Sequence, residues 1–378
     1  MKVYLDNNAT TPIIPEVNEA LKPYLTDYYA NPSSLYESGQ LVRRHVEEAR
    51  ENIARFLGVR GREIIFTSGG TESNNTAIRS ALKSFPLKKK IVTTQVEHSS
   101  IKNLCDTLVK EGYQVHSVGV SKNGSLNWSD FINALDANVV VVSIMWANNE
   151  TGILFPIREI GEELKSRNIL FHVDAVQAVG KIPVRLNEIH VDYLSFSAHK
   201  IHGPKGIGGL YVREGSAFQP LIVGGRQERD RRAGTENVAG IIGFERALKL
   251  AHSTDSQKIS NLRDYFEIEL TKQISDSFIN GKNEARIPNT TNITIPGIEA
   301  ESFLIRLSES GIEASSGSAC LTGALEPSHV LMAMGLSEES ASGSLRFSLS
   351  RLTTAEQIDY ALDVIPKLVD ELRITTGK

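Results

Sequence analysis

A lysine held between a hydroxyl and an imidazole sits in SFSAHKIHGPKGIGG, residues 195–209. Tyr193 to Phe196 reads as a short apolar strand. Ser197-Ala198-His199-Lys200 then turns into a loop carrying Gly203, Pro204, Gly206, Gly208 and Gly209. A lysine so placed can react, and its amine can form a Schiff base with an aldehyde cofactor such as pyridoxal phosphate. A solvated lysine before a turn is the plain alternative, so the reading rests on its companions. TSGGTESN, residues 67–74, follows an apolar run and opens a helical pattern. Its glycines allow close backbone approach, and free N–H groups, with the Thr71 hydroxyl, suit a phosphate dianion near Gly70. His98 could stack on a flat ring, and Asn148 to Gly152 offer hydrogen bonds to a cofactor oxygen or substrate carboxylate. Asp174 is placed to keep a pyridine nitrogen protonated, with Gln177 after it. Capping or structural roles remain open for each of these residues alone. SSGSAC, residues 315–320, reads as a small-residue loop that leaves the Cys320 thiol exposed as a nucleophile. Cys105, by contrast, falls on the apolar face Ile101, Leu104, Cys105, Leu108 and reads as core.

These residues need elements to hold them. Strand-like runs occur at 63–67, 90–94, 114–118, 138–145, 170–173 and 193–196, with helical patterns at about 72–84, 99–111, 129–136 and 157–167 between most of them. Such alternation predicts an α/β fold with a mainly parallel sheet covered on both faces, whose ligand lies beyond the carboxyl ends of its strands. The phosphate loop, His98, the Asn148–Gly152 turn, Asp174 and Lys200 each follow such an end. Before them come an extended arm at 1–14, a short helix from Pro15 to about Leu25, and a long helix from Ser38 to Leu57. After a helix at 236–251 and a polar break at 252–256, a smaller α+β unit is expected. Its last helix, 355–372, carries Pro366, which should kink it. The division is thus 15–254 as a large cofactor-binding domain, and 1–14 with 255–378 as a small domain carrying the cysteine loop.

The chain has 378 residues, 40% hydrophobic and 23% charged, with a net charge of -4. That balance argues against nucleic acid or an anionic membrane as the main partner. No stretch is long and apolar enough to span a bilayer, and the N-terminus does not read as a signal peptide. Two cysteines make no disulfide framework, so a cytoplasmic location is expected. No metal site is indicated.

SAHKIHGPKGIG, TSGGTESNN, VEH, NNETG, HVDAVQ and RAGTEN together resemble the class V aminotransferase family of pyridoxal phosphate enzymes, with their fold type I, seven-stranded-type sheet. SSGSACLTGALEPSHVL is similar to the cysteine desulfurases of the nitrogen-fixation and iron–sulfur-cluster branch, and the likeness runs from LDNNATTP to RFSLSRLTT. The resemblance implies Lys200 as the Schiff-base lysine, Asp174 as the pyridinium partner and Gln177 as donor to the ring's phenolic oxygen. It implies His98 as stacking and proton-transfer group, Thr71, Ser197 and His199 as phosphate contacts, and Asn149 with Arg346 as the substrate-carboxylate pair. Thr235 resembles a threonine that reaches the neighbouring subunit's cofactor, which implies a homodimer. The implied activity takes sulfur from L-cysteine, gives L-alanine and a persulfide on Cys320, and passes the sulfur to an acceptor such as an iron–sulfur scaffold. Rival readings are a selenocysteine lyase, a class V aminotransferase and a non-catalytic sulfur-assembly scaffold. Tyr36 and Met332 depart from the family pattern, which often has histidine and a basic residue there.

Overall fold

The computed structural model describes residues 1–316 and 327–376. Its strands are β1 (Val3–Tyr4), β2 (Ile64–Thr67), β3 (Lys90–Thr94), β4 (Gln114–Val118), β5 (Val139–Met145), β6 (Leu170–Asp174), β7 (Tyr193–Ser197), β8 (Gly208–Val212), β9 (Phe278–Ile279), β10 (Thr290–Thr294), β11 (Ile312–Glu313) and β12 (Ser344–Ser348). Seven of them form one sheet in the order β2-β8-β7-β6-β5-β3-β4. All neighbours in it are parallel except β8, which runs antiparallel to both β2 and β7. The α/β class and the mainly parallel sheet are as the alternation of elements implied, and the seven strands are as the family resemblance implied.

The run VVVVSIM of β5 is buried at every position, as a central strand covered on both faces must be. The helices Gly70–Ser84 and Ser99–Lys110 pack Ala77, Ile78, Ala81, Leu104 and Cys105 against Ile65, Ile91, Val141 and Leu210. On the other face, helices Glu37–Leu57 and Val238–His252 contribute Val46, Ile53, Ile241 and Phe244 to the largest apolar cluster.

The short strands β9 and β11 and the helices Gln227–Asp230 and Glu338–Ser342 are not legible in the sequence, and neither is β8. Gly208 and Gly209 read as part of a glycine loop, yet they open β8, buried throughout. A Cβ on Gly208 would stand 2.6 Å from the Gly69 Cα and 2.8 Å from the Phe196 carbonyl oxygen. The strand therefore needs glycine to pass so close to β7 and to the loop after β2. Local composition reported the glycines and hid the pairing.

A second cluster gathers Val3 and Leu5 with Phe266, Ile293, Phe303, Leu345, Phe347, Ile358 and Ile365. Here β10 pairs antiparallel with β12 and β9, and β1 lies parallel to β11. The N-terminal arm thus joins the C-terminal elements. The last helix runs through Pro366 without interruption, from Ala355 to Thr376. The expected helix at 15–25 is two, Pro15–Leu21 and Pro23–Thr26.

Candidate active site

The carboxyl ends of β2, β3, β5, β6 and β7 lie on one edge of the sheet, and a cavity of about 850 Å³ opens there. Gly70, Thr71, His98, Asn149, Asp174, Gln177, His199, Lys200 and Arg346 all line it. Nine predicted site residues from six separate stretches therefore meet in one place.

Lys200 ends a single 3-10 turn that follows β7. Its Nζ donates to the carbonyl oxygens of Asn8 at 2.6 Å and Ala9 at 2.8 Å. Burial, and then the Arg346 charge, push its pKa down to about 8, against the pull of Asp174 and Asp6. About a tenth of the amine is therefore free of its proton at pH 7, far more than for an ordinary lysine. His199 fixes the turn to the arm, with its Nδ1 3.2 Å from Thr10 Oγ1 and its carbonyl accepting from the Thr11 N–H at 2.9 Å. Burial, with Lys200 second, holds the His199 ring neutral, its pKa pushed down to about 4.

Asp174 closes β6. Its Oδ1 accepts from the Val176 N–H at 3.0 Å and its Oδ2 from Asn74 Nδ2 at 2.7 Å. Asn74 lies one turn into the helix that begins at Gly70, so the helix that offers its N-terminus to an anion also orients the carboxylate. The same Nδ2 donates to Ser100 Oγ at 2.9 Å, and that hydroxyl lies 2.9 Å from His98 Nδ1. The Ser100 N–H donates to Nδ1 at 3.1 Å, so the neutral His98 ring carries its proton on Nε2. Loss of solvent lowers the His98 pKa, and Asp174 opposes that. Neither Asn74 nor Ser100 was singled out from sequence. Their signal was helical spacing: Asn74 lies four residues after Gly70, on the same face.

The phosphate end is built from close approach. Gly69 has φ +155°, and a Cβ on Gly70 would come 2.6 Å from Val176 Cγ2. Ser197 Oγ is buried with no hydrogen-bond partner among the described residues, although a buried hydroxyl ordinarily has one. Glu72 accepts from the Ser68 N–H at 2.8 Å and from Arg232 Nε at 2.9 Å, tying this loop to the segment before Thr235. Thr235 itself is exposed and does not line the cavity.

At the opposite end, Arg346 Nη1 donates to the Asn149 carbonyl at 3.1 Å and Nη2 to Asp6 Oδ1 at 2.7 Å. Arg346 Nε and Asn149 Oδ1 have no partner among the described residues. Asn148 shapes the turn, its Oδ1 accepting from the N–H groups of Glu150 and Thr151 at 2.9 Å. Glu150 accepts from Ser328 Oγ at 2.5 Å, and burial pushes its pKa up to about 7. His329 Nε2 lies 2.9 Å from the Glu97 carbonyl oxygen. Glu97 is buried, accepts from Thr94 Oγ1 at 2.7 Å and the Met145 N–H at 3.0 Å, and is pushed up to about 8 by burial. The helix expected to start near 326–328 begins at His329, with Ser328 as its cap.

Cys320 lies outside the described residues. Cys105 is buried in the helix Ser99–Lys110, its thiol pushed up to about 12 by burial. Tyr36 and Met332 stand off the cavity wall. Among the described residues, no group of three or more His, Cys, Asp and Glu side chains could hold a metal ion.

The donor set fits pyridoxal phosphate. A helix N-terminus and the unpartnered Ser197 hydroxyl suit its phosphate, Asp174 its ring nitrogen, and Lys200 its aldehyde. The family model described as aminotransferase class V matches residues 3–361. A cysteine desulfurase of Trichormus azollae is 53% identical over 374 residues, covering 98% of this chain and 94% of that one. The cysteine desulfurase NifS of Azotobacter vinelandii is 48% identical over 376 residues, 98% of this chain and 93% of its own. Among solved structures, a NifS-like protein superposes with TM-score 0.92 at 37% identity, covering 98% of this chain and 100% of its own. SspA in complex with cysteine does so with TM-score 0.82 at 34% identity, over 93% and 100%. With its fold, its cavity and its relatives in agreement, the chain belongs to the class V aminotransferase family, as one of its pyridoxal phosphate-dependent cysteine desulfurases acting on L-cysteine.

Proposed function

We propose that the chain moves the sulfur of L-cysteine onto Cys320 and passes it on, with the cavity residues in the roles their geometry suits. The observation that carries this is the convergence of Lys200, Asp174, His98 and Arg346 on one cavity. Bound pyridoxal phosphate supplies an aldehyde for amines and a ring that accepts electrons from the substrate's Cα. Gly70, Thr71, Ser197 and His199 hold the phosphate, and Asp174, kept in place by Asn74, faces the ring nitrogen. Lys200, with its depressed pKa, takes and returns the Cα proton. Arg346 and Asn149 hold the substrate carboxylate, for which the guanidinium still has an unpartnered Nε among the described residues. His98 Nε2, oriented by Ser100, exchanges a proton with the substrate thiol. The C–S bond breaks as an S–S bond forms on Cys320, and the carbon skeleton, after protonation, leaves as L-alanine. SspA, 34% identical, is described in complex with cysteine, which supports cysteine as the molecule this cavity accepts.

Purified Cys320→Ala should lose cysteine-dependent release of alanine and sulfide by about 100-fold or more, the scale of removing a covalent nucleophile. Release at the full rate overturns the assignment of the nucleophile.

The chain works as a homodimer in this reading, with Thr235 of each subunit serving the other's phosphate site. Its exposure in the single chain supports this, and sedimentation equilibrium tests it. The acceptor in this reading is a protein of iron–sulfur cluster assembly, such as a scaffold, or of another thiolation, and the location proposed is the cytoplasm. No helix among the described residues is long and apolar enough to cross a membrane. The domain division is 15–254 against 1–14 with 255–378. The two main apolar clusters favour it, with Val330, Leu331 and Met334 packed on the large one.

A further inference from the structure

Lys181 does not line the active-site cavity, yet it touches two residues that do. Its Nζ donates to Gln177 Oε1 at 2.5 Å and to Asn8 Oδ1 at 2.9 Å. Its other side faces a separate cavity of about 290 Å³. Gln177 Nε2 points the opposite way and donates to the Asn8 carbonyl oxygen at 2.9 Å, the same atom that accepts from Lys200 Nζ at 2.6 Å. One lysine outside the cavity thus holds both an amide and an arm that meet at the reactive amine.

The physical point is the direction of the Gln177 amide. A primary amide presents an oxygen acceptor on one side and a two-proton donor on the other, and nothing in its shape prefers either. Lys181 decides, because two of its N–H bonds find acceptors whether or not it carries its extra proton. Were the amide flipped, its oxygen would face the Asn8 carbonyl oxygen, and a charged Lys181 would offer its NH₂ only donors; a neutral Lys181 could accept there only by turning one N–H away from an acceptor. Withdrawal from solvent, then the charges of Lys200 and Arg346, push the Lys181 ammonium well below its usual pKa. Both donated bonds survive that loss of charge.

We propose that Lys181 is a positioning residue that fixes the Gln177 amide with its N–H toward the cofactor ring, and holds the Asn8 arm against Lys200. This rests on the assignment of Gln177 as donor to the ring's phenolic oxygen. An N–H donated to that oxygen favours its charged form. Losing the donor raises the pH at which the cofactor's near-visible absorbance band titrates.

The test is that titration, on cofactor-saturated protein, for Gln177→Ala, Lys181→Met, the double variant and Lys181→Gln. Gln177→Ala should raise the midpoint by about half a unit or more, the scale of one lost hydrogen bond. Lys181→Met should raise it in the same sense, and should add nothing on top of Gln177→Ala. Lys181→Gln keeps an N–H donor and should restore most of the parent midpoint; it also serves where Lys181→Met does not fold. A parent midpoint in Gln177→Ala sinks the role given to Gln177. A shift in Gln177→Ala without one in Lys181→Met overturns the inference about Lys181. So does a Lys181→Met shift that adds in full to that of Gln177→Ala.

Discussion

Lys200 is made reactive by its surroundings. Its amine loses water and faces Arg346, and both effects favour the neutral form. The sign is testable without the cofactor. In the apo-protein, competitive acylation followed by mass spectrometry should show Lys200 titrating near pH 8, well below an ordinary lysine. Arg346→Gln removes a repelling cation, so the midpoint should rise. The same variant should lower kcat/KM for L-cysteine by about 100-fold, mostly through KM, since a charge-assisted carboxylate contact is lost. An unmoved midpoint would remove Arg346 as a cause of the lysine's acidity.

At the scale of elements, the site depends on how β2 is delivered to its edge. Arg50, in the helix Glu37–Leu57, pairs with Glu228 through Nη1 at 2.6 Å and Nη2 at 2.8 Å, and both side chains are buried. Glu228 also accepts from the Phe66 N–H of β2 at 2.9 Å, and the Arg50 guanidinium lies over the Phe66 ring at 4.5 Å. Two residues beyond Phe66, the turn toward Gly70 begins. Arg50→Met should therefore destabilise the protein by about 3–5 kcal/mol, because it leaves the Glu228 carboxylate buried without its partner. Denaturant unfolding reads the loss. Arg50→Met with Glu228→Gln should recover part of it, which a simple packing defect at Arg50 would not do.

The whole molecule shows why the arm matters. Val3 and Tyr4 pair with β11, and the residues after them place Asp6 on Arg346 and set the Asn8 and Ala9 carbonyls against Lys200. Deleting residues 1–9 should abolish cofactor retention and lower the unfolding midpoint together, and equilibrium dialysis with calorimetry reads both. Protonation acts at the same scale. Glu97 and Glu150 have folded pKa values of about 8 and about 7, raised by burial above the unfolded value. Over that range the folded state binds more protons, so stability is greatest below about pH 4 from these two groups and falls as pH rises through 7 to 8. Glu97→Gln should flatten that decline by on the order of 4 kcal/mol between pH 5 and 8.5, as urea unfolding at several pH values would show.

The sequence by itself determined the sheet class, most element positions and the residues that meet in the cavity, because strand ends and glycine loops are local signals. The type and order of Lys200, Asp174, His98 and Gly70 needed no coordinates. Tertiary structure alone decided that β8 is a strand, since its partner is set by the close passage of Gly208 over Gly69. It alone placed the arm on Lys200 and aimed the donors of Asn74, Ser100 and Lys181. Such contacts join residues 100 or more apart in the chain, or depend on which way a side-chain donor points, and neither is written in a local pattern.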